Sequence, residues 1–193
     1  ADELSEEHWG RLGAAQIVPR RETETVFGSG GHAAPRDVVF AATAWKVYNV
    51  LLDYCEGSPT SPAGKFLRRI GVEEMPSAEG LAAAIASNHE RVFARMRGGS
   101  TLITPKDYIK MLKRLSAPLF SSRLLKKQHE LPAELRKSLA SAPCLIEVKG
   151  EDWRPVAAAD CVIDDHETFA QKFSPFVAPT ELKDLYHFLG ARS

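Results

Sequence analysis

The chain has 193 residues, of which 44% are hydrophobic, and it carries 25 basic and 25 acidic residues. This apolar content is enough to bury a core, so the composition excludes a disordered chain. Because the basic and acidic residues balance, no global field draws the protein to nucleic acid or to an anionic membrane. No apolar run reaches the roughly 20 residues that span a bilayer.

The three cysteines, Cys55, Cys144 and Cys161, lie far apart in apolar surroundings. An odd number of buried thiols is typical of a reducing compartment, so we expect a cytoplasmic or nuclear protein. The first residue is Ala1 rather than Met, and the acidic start is unlike a signal peptide. These features predict a piece of a larger protein.

The first 75 residues contain signals for helices and short strands. Ser5 and Ser61 precede residues that favour a helix N-terminus, and Gly71 favours the end of a helix. The predicted elements are a helix from Ser5 to near Gly13, strands at 16–19 and 37–40 on either side of a polar loop, and helices at 42–54 and 62–70. We expect the inner face of the last helix to consist of Ala63, Phe66, Leu67 and Ile70.

The rest of the chain continues with helices and then returns to a mixed pattern. Ser77 and Thr104 stand at positions that favour helix caps, and Pro118 favours a helix end. The predicted elements are helices at 78–87 and 105–117, a basic run at 123–127, a helix that begins at Leu131-Pro132 and carries Leu135 and Leu139, strands at 144–148 and 161–163, and helices at 167–176 and 181–189.

The two ends of the chain resemble each other at an offset of about 120 residues. The matches join 61–71 to 180–190, 37–39 to 160–162, and 12–15 to 139–142. Chance similarity between two Pro-capped helices is the alternative explanation. We predict a helix-rich α/β (α+β) fold with two similar αββαα units, at 1–75 and 131–193, and a helical insert at 76–130. Such a repeat is typical of a scaffold rather than of a nucleotide-binding or hydrolase fold.

Two surface segments are candidate interaction sites. They are Gly28, Gly30 and Gly31 in the polar loop, and Lys106, Lys110, Lys113 and Arg114 on one face of a predicted helix. The glycines lack the spacing of a P-loop or a dinucleotide fingerprint, so they predict a loop open to partners. The basic face could bind phosphates or an acidic partner, although a solvated face is the more frequent outcome on a balanced protein.

The candidates for chemistry cluster around the predicted strand at 161–163. Asp160, Asp164, Asp165 and His166 could bind a metal, and Cys161 with His166 could form a thiol nucleophile and its base. Helix capping by Asp164 or Asp165 and burial of Cys161 explain the same residues without chemistry. We therefore expect no catalytic, metal or cofactor site, with a metal-assisted or thiol enzyme as the alternative.

Short motifs in a fixed order carry a family resemblance. They include Phe66-Leu67, Gly71-Val72 and Pro76-Ser77 within 66–77, and segments at 9–19, 108–115, 139–146, 153–165 and 185–190. Together they resemble very large fungal proteins of unknown function that carry an N-terminal histidine-kinase-like (GHKL) ATPase domain and are related to sacsin and NO VEIN. This resemblance implies a place downstream of the ATPase, and chaperone-like or scaffolding work for the parent protein.

The chain departs from the ATPase pattern itself. Those ATPases have a glutamate four residues before a metal-binding asparagine. In this chain the residue four positions before Asn49 is Trp45, and the residue four positions before Asn88 is Ala84. The sequence also contains no D-x-G-x-G loop. We therefore predict a non-catalytic protein-interaction or scaffold segment that binds a protein partner or other parts of the parent chain. Nucleic-acid binding through the basic stretch from Lys106 to Lys127 is a further alternative, and no membrane contact is expected.

Overall fold

The structure, a computed structural model, describes residues 4–20, 31–41, 48, 51–98, 103–120, 131–142, 144–146, 153–163 and 176–192. These residues form a mixed helix and strand protein rich in helix, which confirms the predicted fold class. The chain divides into two compact units, Ala1–Gly80 and Leu81–Ser193. None of the described helices combines the length and the hydropathy that a bilayer span requires.

The bounded elements in the described part of the first unit are two helices and short paired strands. Its elements are α1 (Glu6–Ala14), β1 (Val18–Pro19), β2 (His32–Ala33), β3 (Val38–Phe40), β4 (Asp53–Cys55) and α2 (Pro62–Arg69). β1 pairs antiparallel with β2, and β3 pairs parallel with β4. Ser5 and Ser61 cap the two helices as predicted, because their Oγ atoms accept hydrogen bonds from the N–H groups of His8 and Gly64. The core contains Val18, Ala33, Val38, Phe40, Cys55 and Val72.

The second unit adds long helices to a similar arrangement. The remaining elements are α3 (Ala78–Arg97), α4 (Pro105–Phe120), α5 (Ala133–Ser141), β5 (Cys144–Ile146), β6 (Arg154–Val156) and α6 (Lys183–Phe188). β5 and β6 are antiparallel. α4 packs against α6 and against the 3-10 turn Thr180–Leu182, and the rings of Phe120 and Phe188 lie 5.7 Å apart. The second helix of the predicted insert therefore packs with the elements that follow it.

The first unit closes around its central strand, β3. Val39 pairs in parallel with Tyr54 on β4 and, on the other side, with Glu73, which follows α2. The N–H of Phe40 donates to the carbonyl of Glu73 at 3.0 Å. Gly71 has a φ of +113°, a left-handed conformation that favours glycine and lets the chain leave α2 and turn back beside β3.

The second unit makes the same pairings around Val162. This residue pairs in parallel with Val177 and with Arg192, and the N–H of Ile163 donates to the carbonyl of Arg192 at 2.7 Å. Gly190, which follows α6, has a φ of +107°. The two central segments and the two glycines are among the positions that the sequence comparison aligned.

Three strands differ from the sequence prediction. Asp53–Cys55 forms β4 instead of the end of a helix at 42–54, because Tyr54 and Cys55 are buried beside β3. A short apolar run is compatible with either a buried strand or a helix. His32–Ala33 and Arg154–Val156 form strands where a loop and a turn were predicted, and they are too short to show an alternating pattern. Residues 42–47 and 49–50 of the predicted helix lie outside the described residues.

Two helices run further than predicted, and one faces differently. α3 continues from its Ser77 cap to Arg97, and α4 passes through Pro118 to Phe120. Phe66 on α2 is 47% exposed and Ala63 is also exposed, so their predicted places on the inner face are wrong. The Phe66 ring instead meets the Trp9 ring edge to face, with the ring centres 6.3 Å apart.

Gly13 lets α1 lie close to the end of α2, and this approach can be tested. A methyl group on Gly13 would lie 2.8 Å from the carbonyl oxygen of Ile70, whereas one on Gly10 would meet no atom within 4 Å. We predict that Gly13→Ala lowers the free energy of unfolding by about 1–2 kcal/mol through overpacking. Gly10→Ala should raise it by up to about 1 kcal/mol, because alanine favours a helix. Chemical denaturation measures both changes, and equal effects would contradict the close approach.

Candidate functional site

An open groove of about 940 Å³ lies beside α5 and the end of α6. Its lining includes Leu131, Arg136, Lys137, Ala140, Phe188 and Leu189. Leu131 and Leu189 are buried below it, and the two cations are exposed at its edge. None of the lining residues that the structure describes is acidic. The groove has the size of a ligand cleft and combines apolar walls with positive charge.

Arg136 joins α5 to the end of α6. Its Nε and Nη2 atoms donate to the carbonyl of Phe188 at 3.2 and 2.9 Å, and its guanidinium carbon lies 4.1 Å from the centre of the Phe188 ring. A cation at the C-terminal end of a helix is also favoured by the helix dipole. Lys137 is the next residue along α5, and within the described ranges it has no ion-pair partner. One cation is therefore held in place while its neighbour is available to a ligand.

In the first unit, an arginine and an aromatic ring also join the first helix to the closing helix, but the ring is on the first helix and the arginine on the closing helix. We call this contact between the first and the closing helix of a unit the helix junction. Trp9 is the fourth residue of α1, as Arg136 is of α5, and Arg69 is the last residue of α2, as Phe188 is of α6. The guanidinium carbon of Arg69 lies 4.3 Å from the centre of the Trp9 ring. Each unit thus joins its first helix to its closing helix through one cation–π contact.

The two described cysteine side chains are buried and unsuited to nucleophilic attack. Burial raises the pKa of Cys55 to about 11, with Glu56 adding to the increase and a backbone hydrogen bond opposing it. The thiolate is therefore scarce at neutral pH. Cys161 is 0% exposed, and its Sγ donates to the carbonyl of Ala157 at 3.5 Å. Both thiols behave as small apolar core residues.

The predicted metal or thiol cluster is only partly described. Asp160 is exposed in the 3-10 turn Ala158–Asp160, while Cys161 is buried, so these two side chains do not share an open site. Asp164, Asp165 and His166 lie outside the described residues. Among the side chains that the structure describes, no group of three or more His, Cys, Asp or Glu could hold a metal ion.

The predicted basic face of α4 consists of Lys106, Lys110, Lys113 and Arg114, and it is partly neutralised. Nζ of Lys110 lies 3.2 Å from Oδ1 of Asp107, and Lys113 pairs with Glu181 on the turn before α6. Pairing with acidic groups weakens the attraction of this face for phosphates. Of the three predicted loop glycines, Gly31 is exposed with a φ of +95°, and Gly28 and Gly30 lie outside the described residues.

A half-buried ion pair beside β4 escaped the sequence prediction. Oδ2 of Asp53 lies 3.2 Å from Nε of Arg20. Burial raises the pKa of Asp53, the charge of Arg20 opposes this, and Asp37 adds to the increase. One carboxyl group beside one cation gives neither a metal site nor an acid and base pair. The sequence signal for this ion pair was the single aspartate, Asp53, within an apolar run.

The groove also escaped the sequence prediction, because its two sides come from distant parts of the chain. Leu131 and Phe188 are brought together only by the tertiary fold. The signal available in the sequence was a pair of small residues, Ala133 and Ala140, on the helix that follows Pro132. Small residues alone do not distinguish an open groove from a close helix contact.

Removal of the Arg136 side chain should destabilise the second unit. Arg136→Ala removes two hydrogen bonds and the stacking contact with Phe188, so we expect the free energy of unfolding to fall by about 1–2 kcal/mol. Lys137→Ala is the matched control on the same helix, and it should change stability by less than about 0.5 kcal/mol. Thermal and chemical denaturation of both variants would measure this difference. Equal stability would contradict a structural role for Arg136.

The raised pKa of Cys55 predicts slow alkylation. With Cys144→Ser and Cys161→Val removing the other thiols, iodoacetamide at about pH 8 should modify native Cys55 at least about a hundredfold more slowly than the unfolded chain, since about one thiol in a thousand is ionised. Mass spectrometry of timed samples gives both rates, and concentrated guanidinium provides the unfolded reference. A native rate equal to the unfolded rate would show that the thiol is accessible and active.

Comparison with protein-family models gives a match over residues 1–193 to the family described as "Protein of unknown function (DUF3684)". Searches of curated proteins and of solved structures gave no match. The match spans both compact units, including the groove and the two helix junctions. The chain therefore belongs to the DUF3684 family of proteins of unknown function.

Proposed function

We propose that this chain is a non-catalytic protein-interaction or scaffold segment of a larger protein. The observation that carries the proposal is the open groove beside α5, which offers apolar walls to a partner. Clefts of this size and composition commonly bind ligands or peptide segments. Burial of Cys55 and Cys161 away from the surface favours a binding role over thiol catalysis.

The parent protein that we propose is a large, chaperone-like protein with a GHKL ATPase domain, related to sacsin and NO VEIN. The proposal rests on the ordered motifs that resemble such proteins. The present segment would lie outside the nucleotide site. In support, Nδ2 of Asn88 donates to the carbonyl of Ala84 at 2.9 Å, so this amide bonds its own helix rather than facing a bound ion.

We further propose that the chain contains two copies of one unit, at 1–75 and 131–193, with a helical insert at 76–130. Three kinds of observation support duplication: the parallel pairings of Val39 and Val162, the left-handed glycines after α2 and α6, and the nine-residue length of both α1 and α5. Repeated units commonly build an extended surface for partners. Duplication therefore agrees with a scaffold role.

The alternative functions have less support. Nucleic-acid binding through the stretch from Lys106 to Lys127 is weakened by the ion pairs of Lys110 and Lys113. A thiol enzyme in the Asp160–His166 cluster would need Cys161 to reach a substrate, and this thiol is buried. For a metal-assisted enzyme, Asp160 is the one candidate ligand within the described residues, and no metal-binding group is found there. No specific contact in the described part of the chain favours either activity.

Filling the groove should abolish partner capture. Ala133 lines the groove at the first turn of α5, and Ala133→Trp places a bulky ring there. Ser138→Trp is the control, since Ser138 is exposed on the same helix and does not line the groove. We expect quantitative affinity capture from a lysate to recover proteins with the wild type and the control that Ala133→Trp loses, because the ring occupies the binding space.

Circular dichroism must show that both tryptophan variants fold like the wild type. If Ala133→Trp and Ser138→Trp recover the same proteins at the same abundance, the groove is not the interaction site. If none of the three proteins captures any partner above background, the interaction role is contradicted.

A further inference from the structure

We propose that the groove beside α5 binds an acidic peptide segment that carries an apolar side chain between its carboxylates. This inference rests on the proposed interaction role and specifies its partner. The groove belongs to the second unit alone, and its chemistry differs from that of the corresponding junction in the first unit. The charge of the described lining residues and their apolar surface both point to the same class of partner.

The charge of the groove selects an anion. Arg136 and Lys137 are both in its lining, and the other lining residues within the described ranges are uncharged. The bonds from Arg136 to Phe188 use Nε and Nη2, which leaves the N–H groups of Nη1 for a carboxylate. Lys137 is exposed one residue away. Two neighbouring cations on one helix suit a short run of Asp or Glu side chains.

The remaining lining selects an apolar side chain. Leu131 and Leu189 are 8% and 7% exposed, and Ala140 and Phe188 are half-buried. A groove of about 940 Å³ exceeds the space of one side chain, so it accommodates a peptide segment rather than a single residue. Burial of an apolar side chain against these walls would provide most of the binding free energy, with the charges setting specificity.

The junction of the first unit uses the same two kinds of group in exchanged positions. There, the Trp9 ring on α1 packs against Arg69 on α2, and Gly13 brings α1 close to the carbonyl of Ile70. In the second unit the cation, Arg136, stands on the first helix, and the ring of Phe188 stands on the closing helix and lines the groove. The exchange places a cation on α5 directly before Lys137, whereas α1 carries the indole ring at the matching position.

The test uses the full chain and three fluorescein-labelled synthetic peptides of equal length. The first alternates Asp or Glu with Trp and Leu, the second has Lys in place of every acid, and the third has Ser in place of every apolar residue. Fluorescence anisotropy titrations give each affinity at low and at physiological salt. We expect the first peptide to bind tightest and to weaken as salt rises, because screening reduces the attraction of its carboxylates.

Lys137→Glu is the decisive variant, and Lys65→Glu is its matched control. Lys65 is an exposed lysine on α2, so the two variants change the net charge equally. We expect Lys137→Glu to weaken binding of the first peptide by about five- to tenfold, since repulsion replaces attraction. Lys65→Glu should leave its affinity within about twofold. Circular dichroism checks that both variants fold.

Equal binding of the acidic and basic peptides, or an unchanged affinity in Lys137→Glu, would overturn the inference. If Ala133→Trp abolishes peptide binding while Lys137→Glu does not, the groove binds apolar segments and only the acidic chemistry fails. If single-stranded DNA binds in a Lys137-dependent way and no peptide does, the partner is a nucleic acid and the proposed protein-interaction role fails as well.

Discussion

The fold depends on parallel pairing of a short central segment with neighbours on both sides. Parallel neighbours cannot be joined by a tight hairpin, so each requires a longer crossover connection. In the first unit, α2 makes the last crossover and Gly71 turns the chain back so that Glu73 reaches β3. This geometry fixes where the closing helix ends. The position of that end, in turn, determines where the first helix of the unit can pack.

The junction between the first and closing helices shows how one backbone arrangement supports two surfaces. A cation–π contact joins the helices in both units, but the ring belongs to α1 in one and to α6 in the other. Trp9 places a large ring across the first junction. Arg136 reaches across the second with a thin planar group and satisfies a helix carbonyl. The exchange therefore places the indole ring on the first helix of one unit and a cation on the first helix of the other.

Local signals were readable in the sequence, and non-local ones were not. The Ser5 and Ser61 caps were predicted correctly because a cap depends on neighbouring residues. The two- and three-residue strands β2 and β6 were missed, since their identity depends on partners supplied by the fold. The groove was missed for the same reason, because Phe188 reaches α5 only through the closing crossover. The predicted loop site at Gly28 and Gly30 stays a prediction.

The burial of Cys55 and Cys161 keeps both thiols away from the surface. In the alignment of the units, Cys161 stands where the first unit has Val38, and both residues are buried beside a central segment that makes the same parallel pairings. A position that accepts either valine or cysteine requires a small apolar group rather than a thiolate. The core residues thus maintain the strand pairings, while the junction residues can vary without disturbing them. Variation between Trp9 and Arg136 is of this second kind, because it changes the charge of the surface while a cation–π contact still joins the helices.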